Sequence, residues 1–189
     1  MFFLLYNMSE IQKEYEKDIP KIIVVGPGRV DKASFIRKVI KNFSENELDL
    51  KKNEYLFKHN GKEIKIPVYD LPASNAFSIY KNLVNFNSSV VISVYAIDKV
   101  ESLYETIVYS KYIKEKKPKN CKYILLGIKN FKYNEIILET KHGKLAQNEF
   151  KFDEFFEISD ENYDKYNAVF EKAAELLLNE KKVIGFVVV

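Results

Sequence analysis

A short loop between two predicted elements carries residue types that bind phosphate. Residues 21–25 form a run rich in β-branched side chains that ends in Gly26-Pro27-Gly28, a turn-forming sequence. Lys32 then begins a stretch with apolar residues at helical spacing. Such a loop can wrap backbone N–H groups around a phosphate, and a lysine there supplies positive charge. Gly26, Gly28 and Lys32 are therefore candidate phosphate-binding residues.

The loop departs from the full phosphate-binding pattern, G-x-x-x-x-G-K-[ST], at two positions. Asp31 replaces the second glycine, and Ala33 replaces the hydroxyl residue that binds magnesium. The Cβ and carboxylate of Asp31 oppose a polyanion by shape and by charge. Ser34 follows directly, but one residue along a helix turns a side chain by about 100°. We therefore do not expect Ser34 to occupy the magnesium position.

The retained charged residues also have purely structural interpretations. A lysine at a helix N-terminus is unfavourable, so Lys32 is expected to be solvated or to pair with Asp31. Asp70 is expected to cap the turn after a predicted strand. His59 and His142 lack a nearby second ligand and are expected to be surface residues. We predict no metal site.

The composition indicates a single soluble globular domain in a reducing compartment. The chain has 189 residues, of which 47% are hydrophobic, and carries 30 Lys and Arg against 27 Asp and Glu. This near-balance of charge disfavours nucleic acid as a partner. The single cysteine, Cys121, excludes an internal disulfide. The lysine-rich stretch 111–122 lies at the end of a predicted helix, where cations are favourable, and is expected to be solvated.

The chain divides into an N-terminal extension (1–20), one domain (21–180) and a short apolar segment (181–189). The apolar run 2–6 is expected to be an extra strand or a docking arm. The apolar C-terminal residues favour an edge strand or a buried segment, because an exposed apolar end is prone to aggregate. They contain no cysteine that could be prenylated. We therefore expect a cytoplasmic protein without a lipid anchor.

Alternating strand and helix patterns predict an α/β fold. Asn60-Gly61 between two extended runs predicts an antiparallel hairpin. The remaining pattern predicts a mixed, mainly parallel six-stranded sheet with helices on both faces. The predicted strands are 21–25, 54–57, 62–69, 90–95, 123–127 and 155–158, and the predicted helices are 32–43, 100–115, 141–150 and 162–179.

Five segments in the right order resemble a Ras or Rab type small GTPase. The resemblance covers about residues 21–180 and implies the fold of the small-GTPase G domain, which has a phosphate-binding loop. The matching segments are Lys21–Ser34, Val68–Ala73, Val90–Glu105, Tyr123–Phe131, and the pair Gly143–Gln147 with Phe155–Ser159.

The family's switch motifs are incomplete in this sequence. Its second-switch motif, D-x-x-G followed by glutamine, keeps Asp70, but Ala73 replaces the glycine and Ser74 the glutamine that orients the attacking water. Residues 42–57 contain no threonine to serve in the first switch. The usual route of GTP hydrolysis is therefore not supported, and we assign no catalytic residue.

The guanine-reading motifs are incomplete as well. In place of N-K-x-D, the sequence has Ile128 and Phe131 on either side of a retained Lys129. The family's S-A-K pattern keeps only Ser159. The residues that could remain from a nucleotide site are Gly26, Gly28, Lys32, Ser34, Asp70, Lys129 and Ser159.

These losses favour a pseudoGTPase that acts as a protein-interaction module without a cofactor. Its partner surface would be residues 42–52 and 72–79, or the apolar termini, and a partner could recruit it to a membrane or a complex. The alternative is a divergent switch that binds GTP or GDP with Mg²⁺ and hydrolyses GTP slowly. Another P-loop activity, such as that of a small kinase, is not supported, because the sequence contains no second acidic motif for magnesium.

Overall fold

A computed structural model describes residues 19–28, 30–40, 53–71, 85–87, 89–129, 137–159, 163–179 and 187–188. Strands and helices alternate along these ranges. The strands are β1 Lys21–Val25, β2 Glu54–His59, β3 Lys62–Asp70, β4 Ser89–Ala96, β5 Lys122–Lys129, β6 Glu154–Ser159 and β7 Val187–Val188. The helices are α1 Lys32–Val39, α2 Val100–Glu115, α3 Thr140–Glu149 and α4 Tyr163–Asn179.

The strands form one mixed sheet in the order β2-β3-β1-β4-β5-β6. β1 pairs in parallel with β3 and β4, and β5 pairs in parallel with β4 and β6. β2 is antiparallel to β3. The predicted α/β fold with a mainly parallel six-stranded sheet is therefore confirmed.

The hairpin turn between β2 and β3 has the geometry that its sequence requires. Asn60 and Gly61 both have positive φ angles, 50° and 76°, as in the two-residue turns that match the twist of antiparallel strands. Along β2, Tyr55 is buried whereas Leu56 is exposed. This alternation shows that one face of the hairpin packs on the core.

Helices cover both faces of the sheet. Side chains of α1 and α4 share one buried cluster, in which the Phe35 and Phe170 rings stack with their centroids 5.2 Å apart. α2 and α3 contribute to the cluster on the opposite face, through Ile113 and Ala146. The central strands β1, β4 and β5 lie between the two clusters, which explains their nearly continuous apolar sequences.

Helix α1 is shorter than the sequence predicted. It ends at Val39, and Ile40 already has an extended backbone with φ −104° and ψ 101°. Consecutive β-branched residues lose side-chain freedom in a helix, which favours an end at this point. The expected helix over residues 32–43 is therefore wrong at Ile40, and residues 41–43 lie outside the described residues.

A seventh strand, β7, pairs with β3 in antiparallel orientation. Val188 is opposite Ile64 and Val187 is opposite Lys65. β2 occupies one edge of β3 over these residues, so β7 lies on the same edge that β1 occupies further along β3. This pairing agrees with the strand expected in the C-terminal segment. The N-terminal residues 1–18 lie outside the described residues.

Lys114 corrects the prediction of a solvated lysine-rich stretch. Its Nζ donates hydrogen bonds to the carbonyl oxygens of Phe150 and Lys151, at 2.7 and 2.8 Å. The ammonium also lies 4.4 Å from the centroid of the Tyr123 ring. Burial lowers the pKa of Lys114. This lysine therefore joins the end of α2 to the carbonyl groups that follow α3.

Among the described helices, none is both long enough and apolar enough to cross a membrane.

Candidate functional site

The candidate site begins where β1 runs into its loop at Gly26. A Cβ on Gly26 would collide with the carbonyl oxygen of Val94 in β4. The absence of a side chain is therefore required by the close approach of β4, whether or not a phosphate binds. Gly28, the other candidate glycine, is exposed in the same loop.

Asp31 holds the backbone conformation that favours glycine. Its φ and ψ are 56° and 46°, in the left-handed region, and it precedes the first residue of α1. Aspartate tolerates this region better than most residues. Its carboxylate makes no side-chain capping hydrogen bond to the helix. The loop therefore keeps a glycine-like backbone at this position while carrying a Cβ and an exposed acidic side chain.

Lys32 and Asp70 meet at the base of the loop. Val24 of β1 is in register with Asp70 of β3, which brings the end of β3 beside the loop. The Lys32 ammonium lies 3.9 Å from Asp70 Oδ1 and donates a hydrogen bond to the Gly26 carbonyl at 3.2 Å. The structure thus pairs Lys32 with Asp70, and the expectation of a solvated lysine or an Asp31 partner is wrong. The strand register is the reason, because it brings Asp70, at the end of β3, within ion-pair distance of Lys32 although the two residues are far apart in sequence.

Burial dominates the electrostatics of this pair. The Lys32 side chain is 8% exposed and that of Asp70 is 24% exposed. Burial lowers the pKa of Lys32, and the negative charge of Asp70 partly offsets that effect. Lys32, a candidate phosphate-binding residue, and Asp70 therefore act as each other's counter-ions within the protein.

An open depression lies between the first turns of α1 and the end of β5. Its volume is about 300 Å³ including open solvent, and it brings Ser34 of α1 close to Lys129 at the end of β5. Ile128 contributes to its wall, where the resemblance would place an asparagine. Ser159 is in register with Lys129 on the neighbouring strand. The lining residues are Val30, Asp31, Ser34, Phe35, Lys38, Ile128, Lys129 and Tyr166.

Two polar residues that line this depression, Lys38 and Tyr166, were not among the sequence candidates. Lys38 Nζ donates a hydrogen bond to the Tyr166 hydroxyl at 3.2 Å and lies 4.4 Å from the centroid of its ring. This contact ties the last turn of α1 to the first turns of α4. Helical periodicity predicted that Tyr166 lies on the apolar face of its helix. It could not predict the contact with Lys38, because no local sequence signal indicates a partner on another helix.

The residues at the family's magnesium positions do not form a suitable donor set. Ala33, in the first turn of α1, offers no oxygen, and Asp70 faces the Lys32 ammonium. Within the ranges that the structure describes, no three His, Cys, Asp or Glu side chains form a group that could hold a metal ion. The polar features that the structure describes at this end of the sheet are the Lys32–Asp70 ion pair and the depression that Ser34 and Lys129 help to line.

Several predicted positions lie outside the described residues. They include the motif-breaking residues Ala73, Ser74 and Phe131 and the segments 42–52 and 72–79. The structure brings together the remaining candidates on β1, α1, β3 and β5. Ser159 is placed by its backbone at the end of β6.

The comparison with protein families assigns the chain. No curated protein gives a significant match to it. The model of the Ras family matches residues 21–179, which include β1 to β6 and all four of the helices described above. The strand order and the loop between β1 and α1 agree with that match. The chain belongs to the Ras family.

Proposed function

We propose that this Ras-family chain is a pseudoGTPase that acts as a cytoplasmic protein-interaction module. The observation that carries the proposal is the contact between Lys32 and Asp70, 3.9 Å apart at the base of the loop. In the usual site these charges serve a phosphate and a magnesium ion. Here each is the other's counter-ion, so a nucleotide would have to displace a partly buried ion pair.

The neighbouring substitutions support the same proposal. Asp31 adds negative charge at the loop, where a polyanion would have to approach. Ala33 contributes no hydroxyl group, and Ile128 presents an apolar side chain at the end of β5. These three positions would separately weaken contacts to phosphate, to magnesium and to a base. We accordingly assign no catalytic residue and no resident cofactor.

The proposed partner surface consists of segments 42–52 and 72–79. These segments match the positions through which the family's switch regions meet partners. A pull-down with the intact chain, compared with a variant in which residues 72–79 carry alternating Gly and Ser, tests this surface. Loss of a captured partner with unchanged thermal stability supports it, whereas unchanged capture points to another surface.

Nucleotide content and affinity test the proposal directly. The purified protein is denatured, the supernatant is chromatographed for guanine and adenine nucleotides, and the native protein is titrated with GDP and GTP in magnesium. We expect no co-purified nucleotide and a Kd weaker than about 1 mM, equivalent to about −4 kcal/mol. Stoichiometric GDP or GTP would contradict the proposal.

The second candidate is a divergent switch that binds nucleotide weakly. It is favoured by the left-handed backbone at Asp31 and by the depression that joins Ser34 to Lys129. A ligand that binds only the folded state raises the melting temperature. A rise in Tm with GDP and magnesium, absent with magnesium alone, would support this candidate over the pseudoGTPase.

A further inference from the structure

Helix α2 packs Ile113 against the sheet but exposes three other large apolar residues to solvent. Val100, Tyr104 and Val108 are 50%, 70% and 44% exposed. Their spacing of four residues places them in one stripe along the helix. Ser102 and Thr106, on the opposite side, are buried. We refer to Val100, Tyr104 and Val108 as the α2 stripe.

Hydrogen bonds from buried hydroxyl groups fix this orientation of α2. Ser102 Oγ accepts a hydrogen bond from the Ala96 N–H at 2.9 Å. Thr106 Oγ1 donates to the Val94 carbonyl at 2.8 Å, and Ser110 Oγ donates to the Thr106 carbonyl at 2.8 Å. Rotating the helix to bury the stripe would break the bonds to β4 and leave polar groups unsatisfied. The stripe is therefore a stable feature of the surface.

Exposed charges are distributed unequally along the same helix. Glu101 and Glu105 are exposed in its first half, and Lys111 and Lys116 are exposed at its second half and end. Glu115 is also exposed in the second half. It reduces the positive charge there, but the exposed charges of the second half remain net positive, whereas those of the first half are negative. Two such helices in parallel would place like charges together, whereas an antiparallel pair places the acidic half beside the basic half.

We propose that α2 is a self-association surface on which a second copy of this chain docks antiparallel, about a two-fold axis. The α2 stripe of each copy covers that of the other, and the acidic half of each helix lies beside the basic half of its partner. This arrangement is self-complementary, as a two-fold interface requires. It depends only on α2 and is independent of whether the chain binds nucleotide.

A surface of one helix per subunit is smaller than the roughly 800 Å² per partner of standard interfaces. The dimer is therefore expected to be weak and concentration-dependent. Sedimentation velocity of the full chain from micromolar to near-millimolar concentration measures it. Tyr104→Glu should weaken dimerisation by about tenfold or more. Leu145→Glu is the matched control, because Leu145 is 63% exposed on α3 and outside the stripe.

A charge exchange tests the antiparallel arrangement. The variants Glu101→Lys/Glu105→Lys and Lys111→Glu/Lys116→Glu should each lose self-association, and mixing them should restore a heterodimer. Because the Lys111 ammonium lies 4.6 Å from the Phe150 ring centroid, thermal unfolding must first show that the second variant is folded. If the Lys111→Glu/Lys116→Glu variant is unfolded, the single variant Lys116→Glu is used in its place.

Three outcomes would overturn the proposal. One is a wild-type chain that stays monomeric at every concentration. Another is a dimer that Tyr104→Glu and Leu145→Glu weaken equally. The third is a failure of the mixed charge variants to associate. A monomer in which Tyr104→Glu exposes residues 1–18 to proteolysis would indicate instead that the chain's own N-terminal segment covers the stripe.

Discussion

The ammonium of Lys32, the first residue of α1, lies 3.9 Å from Oδ1 of Asp70, the last residue of β3. β1 and β3 are parallel, with Val24 opposite Asp70, so the end of β3 reaches the start of α1. The Gly26 carbonyl accepts a hydrogen bond from the same ammonium. This arrangement stabilises the loop from within.

Removing the charge of Asp70 should destabilise the protein. Asp70→Asn leaves the ammonium of Lys32, which is 8% exposed, without its carboxylate partner. We expect the free energy of unfolding to fall by about 1–3 kcal/mol, as measured by urea denaturation. Glu54→Gln is the matched control, since the Lys65–Glu54 pair is at the surface and should contribute less than about 0.5 kcal/mol. Equal effects would show that the Lys32–Asp70 pair contributes no more than a surface pair.

Restoring the two missing residue types of the loop should increase nucleotide affinity. Asp31→Gly removes a Cβ and a negative charge where the backbone is already left-handed. Ala33→Ser supplies the hydroxyl group that the magnesium position lacks. The double variant should bind a fluorescent GDP analogue at least about tenfold more tightly than the wild type in magnesium. The variant Asp31→Asn/Ala33→Ser removes the negative charge of Asp31 but keeps its Cβ. Comparing it with the glycine variant separates the effect of the charge from that of the side-chain volume. No gain in either variant would mean that the loop sequence does not limit binding.

The pH dependence of stability should reveal the burial of Lys32. Burial lowers its pKa from the ordinary value of 10.5, so at alkaline pH the folded protein releases this proton before the unfolded chain does. The contribution of Lys32 to stability therefore becomes more favourable as pH rises toward 10.5.

Comparison with Lys32→Met isolates that contribution. Buried tyrosines act in the opposite direction, because burial raises the pKa of Tyr95 and Tyr123, but they are common to both proteins. The wild type should gain stability relative to Lys32→Met as the pH rises from neutral toward 10.5, as measured by chemical denaturation. Lys58→Met, at an exposed position, is the matched control for the loss of one lysine side chain. A constant difference between wild type and Lys32→Met would contradict the burial.

A methyl group at Gly143 should disturb the packing of α3 on the sheet. A Cβ there would lie 2.6 Å from the Tyr95 hydroxyl and would also collide with the Phe155 ring. Gly143→Ala should lower the free energy of unfolding by about 1–3 kcal/mol, although alanine favours a helix more than glycine does. Adding Phe155→Leu should recover part of the loss, whereas Lys144→Ala, at the exposed neighbouring position, should be nearly neutral. Thermal and urea unfolding of the wild type and of the three variants measure these differences in stability.

Much of the fold could be predicted because its signals are local. The helix predicted over residues 100–115 has the bounds of α2, and Asn60-Gly61 predicted the hairpin, since positive φ at both positions is accessible to these residues. The continuous apolar runs predicted the buried strands. The incomplete motifs at Asp31 and Ala33 could likewise be read from the residues themselves, because they concern residue type.

The partners of the charged residues were decided only by tertiary structure. Local reasoning paired Lys32 with Asp31, but the β1–β3 register brings Asp70 to it instead. The solvated environment expected around Lys114 is likewise replaced by carbonyl groups beyond α3. The outward direction of Tyr104 depends on hydroxyl hydrogen bonds between α2 and β4. Periodicity specifies which residues share a face, whereas the contacts that a face makes depend on strand register and on polar groups distant in sequence.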